Sequence, residues 1–475
     1  MAFDQQRNWD IQMADNLTKV KRDSKRREAG EESKPATHLP TPPPEREPTG
    51  PPIFLPDEVI LQILDYVTNS NSYQQDLAAC CLLSHQWYQA AVPLLYASPH
   101  LYGKNFEPFV KAICPSINPH VRKSPLSELV KMLDMGHLVH HGSKSMTARI
   151  LGRVKANVEV FVAPQASFAI NCFPALGKCS RLRSLDLSLV SECPPLPELF
   201  KTVVNLAGLK SFKLPRSSGF GVHFTISQLG EIWPPNLEHL TLSGGIDGHF
   251  LHGIVKFPQT LRSLTLEHCP QAKGHAVMQL LKKTVRPLQN LEKLKIANMP
   301  RLSGHALDDV LFLLPQLKKL SISVDYITPA VFDDKHFHHS IDWRTLDDHP
   351  ALSDWPSSDD DVHELAQASG SMQHGLRSLE LTNSGNPGED KVTPIDLLIT
   401  IDERTLPHLR EVRVAKSLLW GGFGNDEAEA LADALHERSK DDWELKQGVF
   451  AKMGPKQYTR ERVWEEHAGV WQFDG

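Results

Sequence analysis

Two clusters of histidines come nearest, in residue type and spacing, to a site for metal chemistry. The clusters comprise His137, His140, His141, His336, His338 and His339. Imidazole nitrogens bind zinc, but neither cluster has a cysteine or carboxylate partner at ligand spacing, so solvated histidines are the favoured interpretation. The chain also lacks a glycine-rich phosphate loop, an HExxH pair and a GxSxG motif. We therefore expect no catalytic residue, no metal and no cofactor.

Helical periodicity is clear in the stretch from Leu55 to Tyr96, which predicts two or three short amphipathic helices. A proline such as Pro56 is tolerated in a first helical turn, and the acids Asp57 and Glu58 follow where the helix dipole favours them. Apolar residues then recur at helical spacing: Val59, Ile60, Ile63, Leu64 and Val67. Thr68–Gln75 is predicted to be a polar loop. Asp76 is predicted to cap a second helix that carries Leu77, Cys80, Cys81, Trp87 and Tyr88.

The order of residues in this stretch resembles an F-box. The resemblance rests on Leu55-Pro56-Asp57-Glu58, Ile63-Leu64, Asp76-Leu77 and Leu82-x-Ser84-x-x-Trp87, and it runs through Pro93–Tyr96. It implies that the region binds the Skp-type adaptor of cullin–RING ubiquitin ligases. The adaptor contacts that it implies are Leu55, Pro56, Ile60, Ile63, Leu64, Leu82 and Trp87. An ordinary helical hairpin is the alternative reading.

Length and composition exclude several other classes of protein. The 475 residues are 40% hydrophobic and 23% charged, with a net charge of -6. A nucleic-acid-binding chain would need a strongly basic domain, so no nucleic-acid partner is expected. Seven scattered cysteines without a CxxC pair indicate reduced thiols in the cytoplasm and/or nucleus. We expect no signal peptide and no membrane-spanning run.

The N-terminal part divides into three segments. Residues 1–52 are predicted to be a disordered, basic and proline-rich tail. Its cluster Lys19–Arg27 fits either a nuclear-import signal or a solvated basic tail. Residues 53–97 form the F-box, and residues 98–125 form a connector in which Phe106–Ile113 predicts one short helix.

From residue 126 to 420 the chain repeats the unit apolar-x-x-apolar-x-apolar. The clear copies begin at Leu182, Leu209, Leu237, Leu261, Leu291, Leu317, Leu376 and Leu409, and weaker copies begin near Val130 and Val158. The first six clear copies are 24–30 residues apart, a period typical of leucine-rich repeats. Each copy predicts a short strand with inward leucines, and neighbouring strands stack into a parallel sheet. Helical return segments are predicted at Gly304–Leu311, capped by Ser303, and at His275–Leu281.

Together these features resemble the F-box/leucine-rich-repeat substrate receptors of SCF-type ubiquitin ligases. The resemblance implies an α/β fold, in which a helical F-box precedes a solenoid with parallel strands on its concave face and helical returns. A 59-residue step between repeats contains an acidic insert at 333–370, read as surface decoration or as a partner-contacting loop. Residues 421–475 are expected to supply a helix at Asp426–Lys440 and an aromatic C-terminal cap.

Outward positions of the repeat strands suggest a place for the substrate. Lys293, Lys295 and Lys319 fall on adjacent predicted strands, with Ser321 beside them. Strands lie about 4.8 Å apart, so these residues are expected to form a basic patch for an acidic or phosphorylated segment. Solubilising charge is the alternative explanation of the lysines.

Two functional hypotheses follow. The first is a non-catalytic substrate receptor, in which the F-box recruits the Skp-type adaptor, and through it a cullin, while the repeats bind a protein destined for the proteasome. The second is an interaction scaffold that takes no part in ubiquitin transfer. Capture of adaptor and cullin together would distinguish the two, and the sequence does not name the substrate.

Overall fold

The fold is taken from a computed structural model of the chain. It describes residues 55–70, 72–116, 124–138, 143–216, 233–245, 251, 257–283, 289–302, 304–333, 374–383, 391–420, 426–453 and 468–474. The tail 1–52, almost all of the acidic insert and Ser303 lie outside these ranges. From Asp57 onward the chain forms one compact unit.

Three helices form the N-terminal module: α1 (Asp57–Thr68), α2 (Tyr73–Cys80) and α3 (His85–Ala97). The first has acids in its first turn, as the dipole argument requires. The third is capped by Ser84, whose side chain accepts a hydrogen bond from the Trp87 amide. The helices enclose a small core of their own, made of Ile60, Leu64, Leu77, Ala91 and Val92.

The predicted boundaries in this module are wrong in two places. The second helix begins at Tyr73, so the loop is shorter than Thr68–Gln75. Asp76 lies inside that helix, where its carboxylate accepts hydrogen bonds from the hydroxyls of Ser70 and Ser72 at 3.1 Å and 2.7 Å. The second place is the end of that helix, which was predicted to continue to Trp87 and Tyr88. The chain instead turns after Cys80 and starts a third helix at His85, which Ser84 caps.

The repeat region builds one parallel sheet of eleven strands, ordered β1 to β11 as in the sequence. The strands are Met132–Asp134, Val160–Val162, Ser184–Asp186, Ser211–Lys213, His239–Ser243, Ser263–Glu267, Lys293–Ala297, Lys319–Ser323, Ser378–Thr382, Glu411–Ala415 and Gly469–Phe473. Every clear and weak copy of the repeat supplies a strand, so the predicted α/β fold with parallel strands is confirmed.

The leucines of the repeat explain why the strands stay in register. Residues such as Leu264, Leu294 and Leu320 sit opposite one another in the register, and at most 1% of each is exposed. A shift by one residue would turn these side chains to the solvent face, so burial specifies the pairing. Side chains that precede the strands add hydrogen bonds between repeats. The side-chain amide of Asn290, for example, donates to the backbone carbonyl of Gln259 at 2.8 Å.

One helix, α4 (Gly103–Ile113), precedes β1, and the helices that follow it return the chain between strands and pack against the sheet core. These are α5 (Lys144–Val154), α6 (Phe173–Leu176), α7 (Leu196–Val203), α8 (Gly274–Lys283), α9 (Val310–Leu313), α10 (Pro394–Asp402) and α11 (Asp426–Met453). The expected helices at Phe106–Ile113 and His275–Leu281 are present as α4 and α8. The helix expected at Gly304–Leu311 is shorter, because residues 304–309 are turns and α9 starts at Val310.

The two ends of the sheet are joined to their neighbours by hydrogen bonds. The Lys131 amide donates to the Ala97 carbonyl at 2.9 Å, which ties the last helix of the N-terminal module to the start of β1. At the other end the aromatic C-terminal segment forms β11, parallel to β10. The repeat sheet therefore extends past the expected limit at residue 420. No helix in the described part of the chain is both long and apolar enough to cross a membrane.

His374 is buried where the chain returns into β9, and both of its ring nitrogens contact backbone groups. Its Nδ1 accepts from the Leu376 amide at 3.1 Å, and its Nε2 lies 3.1 Å from the Leu311 carbonyl. Burial lowers the pKa of this histidine from 6.5 to about 4. The neutral ring is thus favoured in the folded state, while the unfolded chain takes up a proton below pH 6.5.

We expect the free energy of unfolding to fall by roughly 3 kcal/mol as the pH drops from 6.5 to 4, at about 1.4 kcal/mol per pH unit. Above pH 6.5 this residue should contribute no pH dependence. Chemical denaturation across this range would measure the change, with His374→Gln as the comparison that cannot titrate. Parallel pH profiles of the two proteins would contradict the assignment.

Candidate protein-docking surfaces

Helix α1 separates its apolar residues into a buried set and an exposed set. Ile60 and Leu64 have no exposed surface, whereas Val59, Ile63 and Tyr66 are exposed at 38%, 37% and 79%. The exposed set recurs at i, i+4 and i+7, so it forms one face of the helix. An apolar face that the chain itself leaves uncovered is a candidate surface for a partner.

Two of the predicted contact residues are therefore misplaced. Ile60 and Leu64 were expected to touch an adaptor, but both side chains are enclosed within the module and cannot reach a partner. Their spacing of i and i+4 is the same as that of an exposed stripe, so periodicity alone does not say which stripe faces the core. Ile63 is the member of the expected set on α1 that is accessible.

The turn between α2 and α3 exposes a second group of apolar side chains. Leu82 is 87% exposed and Leu83 is 65% exposed, and Trp87 is half-buried one turn into α3. The Gln86 amide donates to the Asp57 carboxylate at 2.6 Å, so the first turn of α3 lies beside the first turn of α1. Leu55 and Pro56 directly precede Asp57 in the chain. The fold thus brings the first turn of α3, which carries Trp87, to the first turn of α1.

The predicted contact set missed five exposed apolar residues of the module. These are Val59, Leu61, Tyr66, Leu83 and Tyr88. A helical projection of α1 with Ile60 and Leu64 facing inward would have found Tyr66, because it lies outside the arc around those two residues. No local signal marks Leu83, which is exposed by the turn that Ser84 sets.

The outward side of the repeat sheet forms a second candidate surface. Lys293 pairs with Lys319 in the strand register, as the lysine patch required. However, Lys295 lies 3.7 Å from a Glu267 carboxylate oxygen, and Lys319 lies 3.4 Å from one of Glu380. The expected positive field is therefore reduced, because glutamates on neighbouring strands compensate two of its three charges and leave that of Lys293.

Glu380 is the centre of the network that neutralises this surface. It accepts a hydrogen bond from the Ser321 hydroxyl at 2.9 Å and lies 3.7 Å from the Arg413 guanidinium. Ser321 is buried, so its hydroxyl is not available to a substrate, contrary to the expectation. Arg413 also lies over the Phe473 ring, 5.7 Å from its centroid. The sequence separates these residues by up to 152 positions, and only strand pairing brings them together.

The described residues contain no group of histidines, cysteines and carboxylates placed to hold a metal ion. His137 is the one residue of the two histidine clusters that they include, and its ring lies 5.9 Å from that of His100. Two buried cysteines are also poor nucleophiles. Burial raises the pKa of both Cys179 and Cys269 to about 12, so neither thiol ionises near neutral pH.

Comparison with known proteins points to the N-terminal module. Residues 53–102 match the F-box-like family model. The chain is 31% identical over 358 residues to F-box protein YDR306C of Saccharomyces cerevisiae, across 75% of this chain and 66% of that protein. It is 25% identical over 394 residues to Protein pof5 of Schizosaccharomyces pombe, across 82% of this chain and 97% of that protein. The first alignment thus spans just under two thirds of the budding-yeast relative.

Proposed function

We propose, from the F-box-like domain at residues 53–102, that this chain is a substrate-recognition subunit of an SCF-type ubiquitin ligase. In this assignment the domain binds a Skp-type adaptor and, through it, a cullin. The similarity to F-box protein YDR306C supports the assignment over three quarters of the chain. The chain itself would supply no catalytic group, since ubiquitin transfer belongs to a conjugating enzyme elsewhere in the ligase.

The observation that carries the proposal is an exposed apolar surface on the module that the family model matches. Leu82 and Leu83 are largely exposed although they are leucines, and Ile63 and Tyr66 add a second apolar face on α1. Covering such surface is favourable by roughly 25 cal/mol per Å². A partner that buries these side chains accounts for their type and their position.

The repeat sheet would present the substrate in this proposal. Eleven parallel strands give a surface whose outward side chains are fixed by the register. Holding a substrate there raises the local concentration of its lysines near the ligase, which is how a subunit without catalytic residues accelerates transfer. The modified substrate would then pass to the proteasome. None of the seven cysteines forms a disulfide, which fits the reduced environment of the cytoplasm and/or nucleus.

Affinity purification of the intact protein from cells tests the assignment. We expect adaptor and cullin to be recovered together with it. Recovery of neither, from a folded protein, would contradict the ligase assignment and favour an interaction scaffold. Repeating the purification with ligase activity blocked should let substrates accumulate on the protein, so that mass spectrometry identifies them.

A further inference from the structure

One position of the repeat is charged in every copy that the structure describes from β1 to β10. It is the residue directly before each strand, and the ten residues, here called the amino-edge row, are Lys131, Glu159, Arg183, Lys210, Glu238, Arg262, Glu292, Lys318, Arg377 and Arg410. Seven of them are lysine or arginine, and three are glutamate. Since all the strands are parallel, the row runs along a single edge of the sheet.

Backbone hydrogen bonds hold the members of the row next to one another. Each amide donates to the carbonyl of the preceding member, as from Glu292 to Arg262 and from Lys318 to Glu292, both at 2.8 Å. The same bond links Arg377 to Lys318 at 2.8 Å, although the residues are distant in sequence. The charges therefore follow one another at the spacing of neighbouring strands, about 4.8 Å.

Two of the three glutamates of the row, Glu238 and Glu292, are already engaged by lysines. Lys210 Nζ lies 2.7 Å from a Glu238 oxygen, and Lys318 Nζ lies 2.7 Å from a Glu292 oxygen. These hydrogen bonds are the main cause that lowers the pKa of each glutamate, and the charge of Arg262 adds to it in both. Arg262 thus stands between two carboxylates that are each neutralised by another residue.

Arg262 consequently carries a positive charge that no described carboxylate compensates at ion-pair distance. Arg377 is in the same position, and both side chains are exposed. By contrast, the lysine patch on the outward side of the sheet has lost two of its three charges to Glu267 and Glu380. In the middle repeats the amino-edge row therefore keeps two positive charges, on Arg262 and Arg377, that no described carboxylate compensates at ion-pair distance, whereas the lysine patch keeps one, on Lys293.

A cleft of about 620 Å³ opens at this part of the row. Glu238, Arg262, Glu292 and Lys318 line it, together with side-chain amides that include Gln259 and Gln289. Both glutamines are exposed. A side-chain amide can donate to a peptide carbonyl and accept from a peptide N–H, so these residues suit an extended backbone. The Arg262 guanidinium, which lines the same cleft, suits a carboxylate, which it can bind through two parallel hydrogen bonds.

We propose that this cleft binds an acidic segment of a partner protein, with a carboxylate of that segment on Arg262. The idea deepens the proposed function and rests on it, because the partner would be the substrate that the repeats present. It also relocates recognition from the outward lysines to the edge where the strands begin.

Fluorescence polarisation of the full-length protein with a labelled peptide of alternating glutamate and serine tests the cleft. A peptide with glutamine in place of glutamate is the uncharged comparison. We expect Arg262→Gln to weaken binding of the acidic peptide about tenfold, the lower end of the contribution of a charge-assisted hydrogen bond. Lys178→Gln is the matched control, since it removes one exposed positive charge from the turn before β3, and Lys178 does not line the cleft. It should change the affinity less than about twofold, because an exposed charge outside the cleft is screened by salt.

Equal losses in the two variants, no loss in Arg262→Gln, or equal binding of the uncharged peptide would overturn the site. Adaptor capture is measured on the same protein as a separate readout. Arg262 lies outside residues 53–102, so its variant should capture the adaptor as the wild type does. A wild-type protein that binds the peptide in the cleft but captures no adaptor would retain this inference and refute the proposed function.

Discussion

The Leu82→Ala, Leu83→Ala double variant is expected to lose most of its affinity for the Skp-type adaptor while remaining folded. Removing an interfacial anchor commonly costs on the order of 2 kcal/mol, which is about a thirtyfold loss of affinity. Both side chains project from the turn between α2 and α3 and are mostly exposed. Their truncation should therefore leave the free energy of unfolding nearly unchanged. Titration of purified adaptor against the immobilised protein gives the affinity.

A matched control truncates two exposed isoleucines outside the module. Ile395 and Ile399 lie on α10, and both are among the exposed large apolar residues. The Ile395→Ala, Ile399→Ala variant removes the same number of carbon atoms but should capture the adaptor as well as the wild type. Full adaptor affinity in the leucine variant, or an equal loss in the control, would show that the turn is not the docking surface.

Truncation of a residue in the buried stripe of α1, Ile60 or Leu64, is expected to destabilise the module. It should not remove a direct contact with the adaptor. Ile60→Ala or Leu64→Ala should destabilise the module by roughly 2–5 kcal/mol, the usual cost of deleting a fully buried aliphatic side chain. The core of the module is small, so little surrounding structure can close the cavity. Hydrogen exchange of the α1 amides measures the loss directly, because protection reports the local free energy of opening.

Leu61→Ala serves as the comparison on the same helix, because Leu61 is half exposed and leaves no enclosed cavity. Its amide protection should stay close to that of the wild type. Adding the adaptor should partly restore protection in Ile60→Ala, since a ligand that binds only the folded module stabilises it. Equal protection in Ile60→Ala and Leu61→Ala would place the core of the module elsewhere.

The sequence alone was sufficient for the architecture of the repeat region. Leucines at a period of 24–30 residues determined which segments become strands, and the structure places a strand at each of them. This works because the pattern is local and repeated, and each copy can bury its leucines only by stacking on the next copy. The F-box-like module was recognisable for a related reason, since its motif residues follow one another in a fixed order within about fifty positions.

Boundaries within the module were less predictable from the sequence. By residue type Asp76 is as good a helix cap as Ser84. Of these two residues, however, Ser84 caps a helix and Asp76 does not. The choice depends on where the chain must turn so that Leu77 and Ala91 meet Ile60 and Leu64 in one core. Packing between the helices determines this choice, and the local sequence around each candidate cap does not reveal that packing.

Only the tertiary structure decided which charges remain available to a partner. Lys295 and Lys319 look like a basic patch in the sequence, but strand pairing sets them beside Glu267 and Glu380. The same pairing aligns the charged residues that precede the strands and leaves Arg262 between two neutralised glutamates. The physical reason is that the two effects depend on different things. The spacing of leucines along the chain shows which of them can be buried, whereas the strength of a Coulomb interaction depends on the distance between two charges in space. Distances between repeats are fixed only when the strands have paired.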